Sequence, residues 1–271
     1  MKYIIYNDLH IHSKASLCSK DPEQTPQRIL QYAKDNNLKT ICLTDHFWDE
    51  SIPCDNPVLQ MENYKHNSEM LPLPQSEGIR FLFGCETEIR HDLTLGIAKE
   101  HYDLFDFIVI PTTHYHNGFT FTAEELASPK KRAIAWVAKL DAVLNMDLPF
   151  HKVGIAHLTC GTNYKDVAGN FADITTLVPD EEMIRIFTKA ASLGVGIELN
   201  AESFGFSCDG GPFTDEQFEI ELRPYRKALE CGCKFYCGSD AHHPKMLLEA
   251  NEILQRAING LGLTEDDKFI I

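Results

Sequence analysis

The chain has 271 residues, 44% of them hydrophobic, and a formal net charge of -15 at pH 7. Such an acidic surface repels polyanions, and affinity for duplex DNA depends largely on Lys and Arg contacts to phosphate. The charge therefore argues against binding to duplex DNA. The longest apolar runs are far shorter than the roughly eighteen residues that a membrane span needs, which argues against insertion into a membrane.

The N-terminal segment MKYIIYNDLH has a short apolar run that leads directly into acidic and histidine residues, unlike a secretory signal peptide. We therefore expect a cytoplasmic location. The nine cysteines form an odd set, and several lie inside apolar segments such as TICLTD. In a reducing compartment they are expected to be free thiols that pack as small hydrophobic residues. The sequence does not indicate an oligomeric state.

Apolar runs rich in Val, Ile and Phe alternate with longer segments of helical periodicity along the whole chain. Strands are predicted at residues 3–6, 40–43, 80–83, 107–110, 153–156, 195–199 and 234–237. Helices are predicted at residues 26–36, 124–144, 181–193, 215–230 and 245–259. This alternation favours parallel strands covered by helices, in a closed barrel or in an open doubly wound sheet.

Seven strands in this length suit one barrel-like α/β domain over residues 1–271, with residues 47–74 forming a long excursion above it. Potential metal ligands follow the predicted strands, in the segments NDLHIH, LTDH, GCETE, TTHYH, IAHL and GSDAH. The carboxyl ends of the strands form the rim where parallel barrels build their active sites. The residues expected to meet there are His10, His12, His46, Glu86, His114, His157, Asp240 and His242.

Any one of these residues has an ordinary structural explanation. His46 alone would be a core or capping residue, and Glu86 alone a buried acid paired with Arg90. Independent explanations at successive strand ends are less plausible than one shared cause, which is metal binding. Imidazoles and carboxylates suit Zn²⁺, Mn²⁺ or Fe²⁺, and eight donors are too many for one ion. The sequence therefore predicts two or three divalent metal ions.

The ordered motifs DLHIHS, LTDH, GCE, TTHYH, IAHL and GSDAH resemble the PHP superfamily, named after polymerases and histidinol phosphatases. The resemblance implies a distorted (β/α)7 barrel, three metal ions and phosphoesterase activity. It places one ion on His10, His12, Glu86 and Asp240. It places a second ion on Glu86, His114 and His157, and a third on His46 and His242. Glu86, Asp240 and His242 are the residues that it implies for catalysis.

One position departs from the family pattern. The family usually has a His or Asp shortly after the paired histidines to complete the third site, and this chain has SLCSKD there. The interpretation at that point is open between Cys18, Asp21 and a third site that is weak or empty. Asp8, which alternation in a strand places on the same face as His10 and His12, is expected to orient one of the imidazoles.

The leading hypothesis is hydrolysis of a small anionic phosphate monoester by a metal-activated hydroxide, with histidinol phosphate as the leading named substrate. The loop after the sixth strand, ELNAESFGFSCDGGPF, lacks the arginines that the histidinol phosphatases of the family use to hold phosphate. The alternatives are an amidohydrolase-like enzyme that cleaves C–N or C–O bonds, a nuclease, and a PHP module that binds metal without catalysis.

Overall fold

Nine strands and eight helices are present in the computed structural model over the residues that it describes, 1–113, 119–159, 174–205 and 213–271. The strands are β1 (Asn7–Ile11), β2 (Thr40–Leu43), β3 (His46–Phe47), β4 (Arg80–Phe83), β5 (Cys85–Thr87), β6 (Ile108–Pro111), β7 (Val153–Ala156), β8 (Gly196–Asn200) and β9 (Lys234–Gly238). The helices are α1 (Pro26–Asp35), α2 (Pro57–Met61), α3 (Tyr64–Asn67), α4 (Pro129–Leu144), α5 (Asp180–Leu193), α6 (Ala201–Gly205), α7 (Asp215–Glu230) and α8 (Pro244–Leu261). None of these helices is long and apolar enough to cross a membrane.

The described strands form two parallel sheets, with the orders β1-β2-β4 and β3-β5-β6-β7-β8-β9. Short breaks separate β2 from β3 and β4 from β5, so the nine strands occupy seven positions. At the seam between β9 and β1, Asp240 N donates to His10 O (2.8 Å) and His12 N donates to Ala241 O (3.1 Å). The chain is thus a distorted (β/α)7 barrel, as the sequence predicts.

The predicted strand at residues 3–6 is wrong, and the first strand is Asn7–Ile11. Ile4 is exposed, so the apolar run before β1 is not a buried strand. The two tyrosine hydroxyls of this run donate to carbonyl groups elsewhere, Tyr3 to Phe235 O (3.1 Å) and Tyr6 to Phe269 O (2.7 Å). These hydrogen bonds hold the run against β9 and the C-terminal segment. The first strand therefore begins four residues later than predicted.

The predicted helix at residues 124–144 begins later, at Pro129, because local capping decides its start. Ser128 has an extended backbone, its hydroxyl accepts from Lys131 N (3.3 Å), and proline occupies the first helical position. The excursion at residues 47–74 contains the short helices α2 and α3, which Asn56 and Asn63 cap. All seven cysteines in the described ranges are free thiols, and Cys160 and Cys208 lie outside those ranges.

A small cluster of hydrophobic side chains fills the interior of the ring of strands. Among the described residues, six strands contribute to this cluster and none of its members lies in a helix. Its members are Leu9, Cys42, Leu82, Phe107, Val109, Ala156 and Tyr236, with Phe269 from the C-terminal segment. A Cβ at Gly154 would lie 2.5 Å from the Tyr236 hydroxyl oxygen. Glycine is therefore needed at Gly154, because the large ring of Tyr236 occupies the space inside the barrel.

We predict that Gly154→Ala lowers the free energy of unfolding by about 1–3 kcal/mol, since overpacking forces Tyr236 or its strand to move. Chemical denaturation monitored by circular dichroism measures the change. Tyr236→Leu opens the same space, so the cost of Gly154→Ala should be smaller in a Tyr236→Leu background. An equal cost in both backgrounds would contradict this packing explanation.

Candidate metal centre

The carboxyl-terminal rim of the barrel carries a cluster of imidazoles and carboxylates. His10 lies in β1 and His12 one residue after it, His46 begins β3, and Glu86 is the middle residue of β5. His157 follows β7, and Asp240 and His242 follow β9. His242 is half-buried and the other six are buried. The structure thus brings together seven of the eight predicted strand-end residues; His114 lies outside the described residues.

Glu86 lies between the histidines of three strand positions. Its Oε2 atom is 2.9 Å from His46 Nδ1, 3.3 Å from His12 Nε2 and 3.5 Å from His10 Nε2. Its Oε1 atom faces the other way and is 3.7 Å from His157 Nε2. The two oxygens of one carboxylate therefore face different imidazoles, an arrangement that lets one residue serve two neighbouring cations.

Asp240 forms the second negative centre of the cluster. Its Oδ1 atom is 3.2 Å from His12 Nε2, and its Oδ2 atom is 3.1 Å from His157 Nε2. Asp240 and His157 both have left-handed backbones, with φ of 54° and 47°. Residues other than glycine rarely adopt this conformation, and it recurs at functional sites. Here it directs both side chains toward the cluster directly after their strands end.

Buried acceptors decide which nitrogen of each paired histidine faces the cluster. His10 Nδ1 is 2.6 Å from Glu198 Oε1, and His12 Nδ1 is 2.9 Å from Ser16 Oγ. The Ser16 hydroxyl already donates to Asp45 Oδ1 (2.9 Å), so it must accept from His12. In both residues Nδ1 carries the hydrogen, and Nε2 is the atom left to take a cation.

The two Nε2 atoms, of His10 and His12, are 3.1 Å apart. Two nitrogens bound to one ion at about 2.1 Å, with an angle of about 90–110°, lie about 3.0–3.4 Å apart. A cation between the two nitrogens, either a shared proton or a metal ion, is compatible with this separation. The spacing therefore fits a shared divalent ion.

The charges of the cluster support the same interpretation. Burial raises the pKa of Glu86 and of Asp240, but the neighbouring imidazoles outweigh burial and hold both values well below the ordinary range. Burial lowers the pKa of His12 and His157, but the neighbouring carboxylates, Asp240 first among them, raise the values to about 9 and about 10. Two buried carboxylates thus demand positive charge between the histidines, as protons or as metal ions.

His242 differs from the other histidines of the cluster. Burial and the charge of His12 lower the pKa of His242 to about 3. Its Nδ1 atom is 2.8 Å from the backbone carbonyl of Asp240, which can only accept. The imidazole is therefore neutral with Nε2 unprotonated, the form that binds metals.

Glu198, in the middle of β8, was not among the predicted site residues. It is fully buried, and its Oε2 atom accepts from His157 N (3.0 Å) and Asn200 Nδ2 (3.1 Å) while its Oε1 atom faces His10. A Cβ at Gly238 would clash with this carboxylate, so glycine leaves the space for it. The only signal in the sequence is that Glu198 is an acid inside the apolar segment GIELN. A buried acid needs a polar partner, and this requirement could have indicated a role beside the histidines.

The prediction that Asp8 orients an imidazole is wrong. Asp8 accepts from Ser239 N (2.9 Å) and from the Tyr32 hydroxyl (3.1 Å), and Glu198 takes the expected place beside His10. The reason is a register shift in β1 between Asp8 and Ile11. Such a bulge changes the face that following residues present. Asp8 instead ties β1 to the end of β9.

Four groups of potential metal ligands occur within the described residues, and the donor atoms of each group lie within 4.8 Å of one another. The groups are His10–His12–Glu86, His10–His157–Glu198, Glu202–Asp240–His242 and His12–Cys18–His46–His242. Cys18 therefore lies beside the predicted third site, whereas Asp21 belongs to none of these groups. Glu202, at the start of α6, is exposed and was also missed by the sequence prediction.

Comparison with known proteins places the chain in a family. The family model of the PHP domain matches residues 8–202, a span that runs from within β1 to just after β8. No curated protein sequence matches the chain.

Two solved structures are similar to the chain. Histidinol phosphate phosphatase from Lactococcus lactis, in complex with zinc, L-histidinol and phosphate, is 18% identical, with 93% of each chain covered and a TM-score of 0.56. A probable 2-pyrone-4,6-dicarboxylic acid hydrolase from Acinetobacter baumannii is 14% identical, with 97% of each chain covered and a TM-score of 0.41. At this identity, the first likeness shows a shared fold.

We predict that Glu198→Gln lowers metal affinity about 10–100-fold, because His10 loses the anion that holds its Nδ1 hydrogen. Metal titration of the metal-free protein, followed by elemental analysis, measures this. Glu249→Gln, on the exposed face of α8, is the matched control and should bind metal normally. Unchanged affinity in Glu198→Gln would contradict the role given to Glu198.

Proposed function

The chain belongs to the PHP domain family, and from that premise we propose that it is a metal-dependent phosphoesterase that hydrolyses a small phosphate monoester. The observation that carries the proposal is the buried pair of carboxyl groups, Glu86 and Asp240, each facing several imidazoles at the barrel rim. A phosphate monoester is an anion that hydrolyses extremely slowly, so concentrated positive charge is the most effective aid to its reaction.

The donor set fits divalent ions. His10, His12, Glu86 and Asp240 would hold one ion, and Glu86 would share a second with His157 and with His114. Zn²⁺, Mn²⁺ and Fe²⁺ all accept such nitrogen and oxygen donors. Ions bound there would activate water as the nucleophile and neutralise charge on the phosphoryl group.

The protein's own contribution is to hold these donors in place before substrate arrives. Glu198 and Ser16 hold His10 and His12 with Nε2 toward the cluster. Glu86 is fully buried, so water does not compete for its oxygens from solvent. This preorganisation lowers the cost of aligning a substrate phosphoryl group with the reacting water.

We propose L-histidinol phosphate as the first substrate to test, since the structural neighbour from Lactococcus lactis is a histidinol phosphate phosphatase. Glu202 lies exposed beside Asp240 and His242 at the end of β8. Burial of the carboxyl group and the charge of Asp240 raise the pKa of Glu202 to about 7, so near neutral pH it is partly ionised and could contact a cationic group on the substrate. The formal charge of -15 disfavours polyanionic nucleic acids as substrates.

We expect protein loaded with Zn²⁺, Mn²⁺ or Fe²⁺ to release inorganic phosphate from L-histidinol phosphate or from simple monoesters, measured colorimetrically. Asp240→Asn should lower kcat/KM by about 100-fold or more, because it removes a charge that holds the metal and its imidazoles. Glu249→Gln serves again as the control and should retain activity.

Fully metal-loaded protein that releases no phosphate from any monoester would overturn the proposal. The same preparations should be assayed with amides, lactones and short oligonucleotides. Turnover of one of those classes without phosphatase activity would favour the amidohydrolase-like or nuclease alternative.

A further inference from the structure

The loop between β1 and α1 carries Cys18, and the residues around the metal centre hold this loop in place. Asp45 accepts from Ser13 N (2.6 Å), from Ser13 Oγ (2.7 Å) and from Ser16 Oγ (2.9 Å). Ser19 Oγ, one residue after Cys18, donates to His242 O (2.6 Å). The loop is thus anchored on both sides of Cys18 to segments that carry His46 and His242.

The excursion above the barrel holds the same loop from outside. Glu62, which is buried after α2, accepts from Leu17 N (2.8 Å). His66 Nε2, in α3, lies 2.7 Å from Ala15 O, which can only accept, so His66 donates. Hydrogen bonds from two different parts of the chain therefore restrict the residues next to Cys18, and the thiol is placed rather than left to move freely.

The placed thiol lies among histidine nitrogens. The Cys18 sulfur and one nitrogen each of His12, His46 and His242 all lie within 4.8 Å of one another. His12 and His46 are buried. Asp21, the alternative donor from the sequence, accepts instead from Glu23 N (2.9 Å) in its own turn.

We infer that Cys18 supplies a thiolate to a third metal ion, held also by His46 and His242, and that this site prefers Zn²⁺ to Mn²⁺. The inference rests on the proposed function only in requiring that the centre binds metal. Thiolate is a soft ligand that suits Zn²⁺ and Co²⁺ in tetrahedral sites, whereas Mn²⁺ prefers oxygen. Among the described residues, the donors grouped with Glu86 are imidazole nitrogens, which give no such preference. The rim would thus combine two kinds of metal site.

Cobalt provides a direct test, because Co²⁺ occupies zinc sites and shows a near-ultraviolet charge-transfer band when bound by thiolate. Metal-free protein titrated with Co²⁺ should develop this band. Cys18→Ser should abolish the band and lower the number of bound ions by one. Cys54→Ser, at another cysteine that is not fully buried, and Asp21→Asn should both leave the band unchanged.

A second measurement tests the preference for zinc. The thiol of Cys18 is exposed, so iodoacetamide should alkylate it readily in metal-free protein, as read by peptide mass spectrometry. Zn²⁺ should slow alkylation of Cys18 at least tenfold while Mn²⁺ leaves it unchanged, and alkylation of Cys54 provides the internal reference.

Cobalt binding without the band, or a band that survives Cys18→Ser, would overturn the thiolate assignment. Equal protection by Mn²⁺ and Zn²⁺ would overturn the metal preference. Neither measurement involves phosphate release, so a metal-loaded protein that lacks phosphatase activity would overturn the proposed function and leave Cys18 as a ligand. A protein that binds no cobalt would overturn both.

Discussion

The burial of two carboxylates, Glu86 and Asp240, at one end of a parallel barrel is the constraint on which the rest of the centre depends. Buried charges are costly unless opposite charges compensate them. The chain meets this requirement by directing imidazoles from separate strands toward the same two groups. Neutral imidazoles alone do not compensate the negative charge of the two carboxylates. Protons or metal ions at the rim would supply the missing positive charge.

Hydrogen bonds from the surrounding residues fix the orientation of the imidazole rings in the cluster. Glu198 and the Ser16–Asp45 pair hold the hydrogen on Nδ1 of the two paired histidines, which turns both Nε2 atoms inward. Asp8 contributes at a distance, since its bond to Ser239 N joins β1 to the segment that carries Asp240. A further hydrogen bond joins Glu62 to the loop that carries Cys18. Hydrogen bonds thus hold both the donor atoms of the cluster and the loop that carries Cys18.

The fold and most of the cluster could be predicted because both follow from local patterns. Apolar runs alternating with helical periods indicate parallel strands covered by helices, and the carboxyl ends of such strands share one edge or rim. The number of strands and the resemblance of the motifs to the PHP superfamily favoured the barrel. Glu198, Ser16 and Asp45 could not be predicted, because a polar residue in or after an apolar run does not show what it contacts. The role of Asp8 was mistaken for a related reason: the register shift in β1 depends on pairing with β2, which the residues of β1 alone do not show.

By itself, the sequence determined the order of the main strands and helices and the residue types at the strand ends, since these depend on periodicity and on position relative to strand ends. The resemblance of its motifs to a known family indicated the barrel. Only the tertiary structure decided which imidazole nitrogens face Glu86 and Asp240, that Glu198 supports His10, and that Cys18 rather than Asp21 lies among the histidines. Those outcomes depend on contacts between residues far apart in the chain. Hydrogen bonding and metal binding are sensitive to differences in distance of a few tenths of an ångström, and such distances are set only when the whole barrel packs.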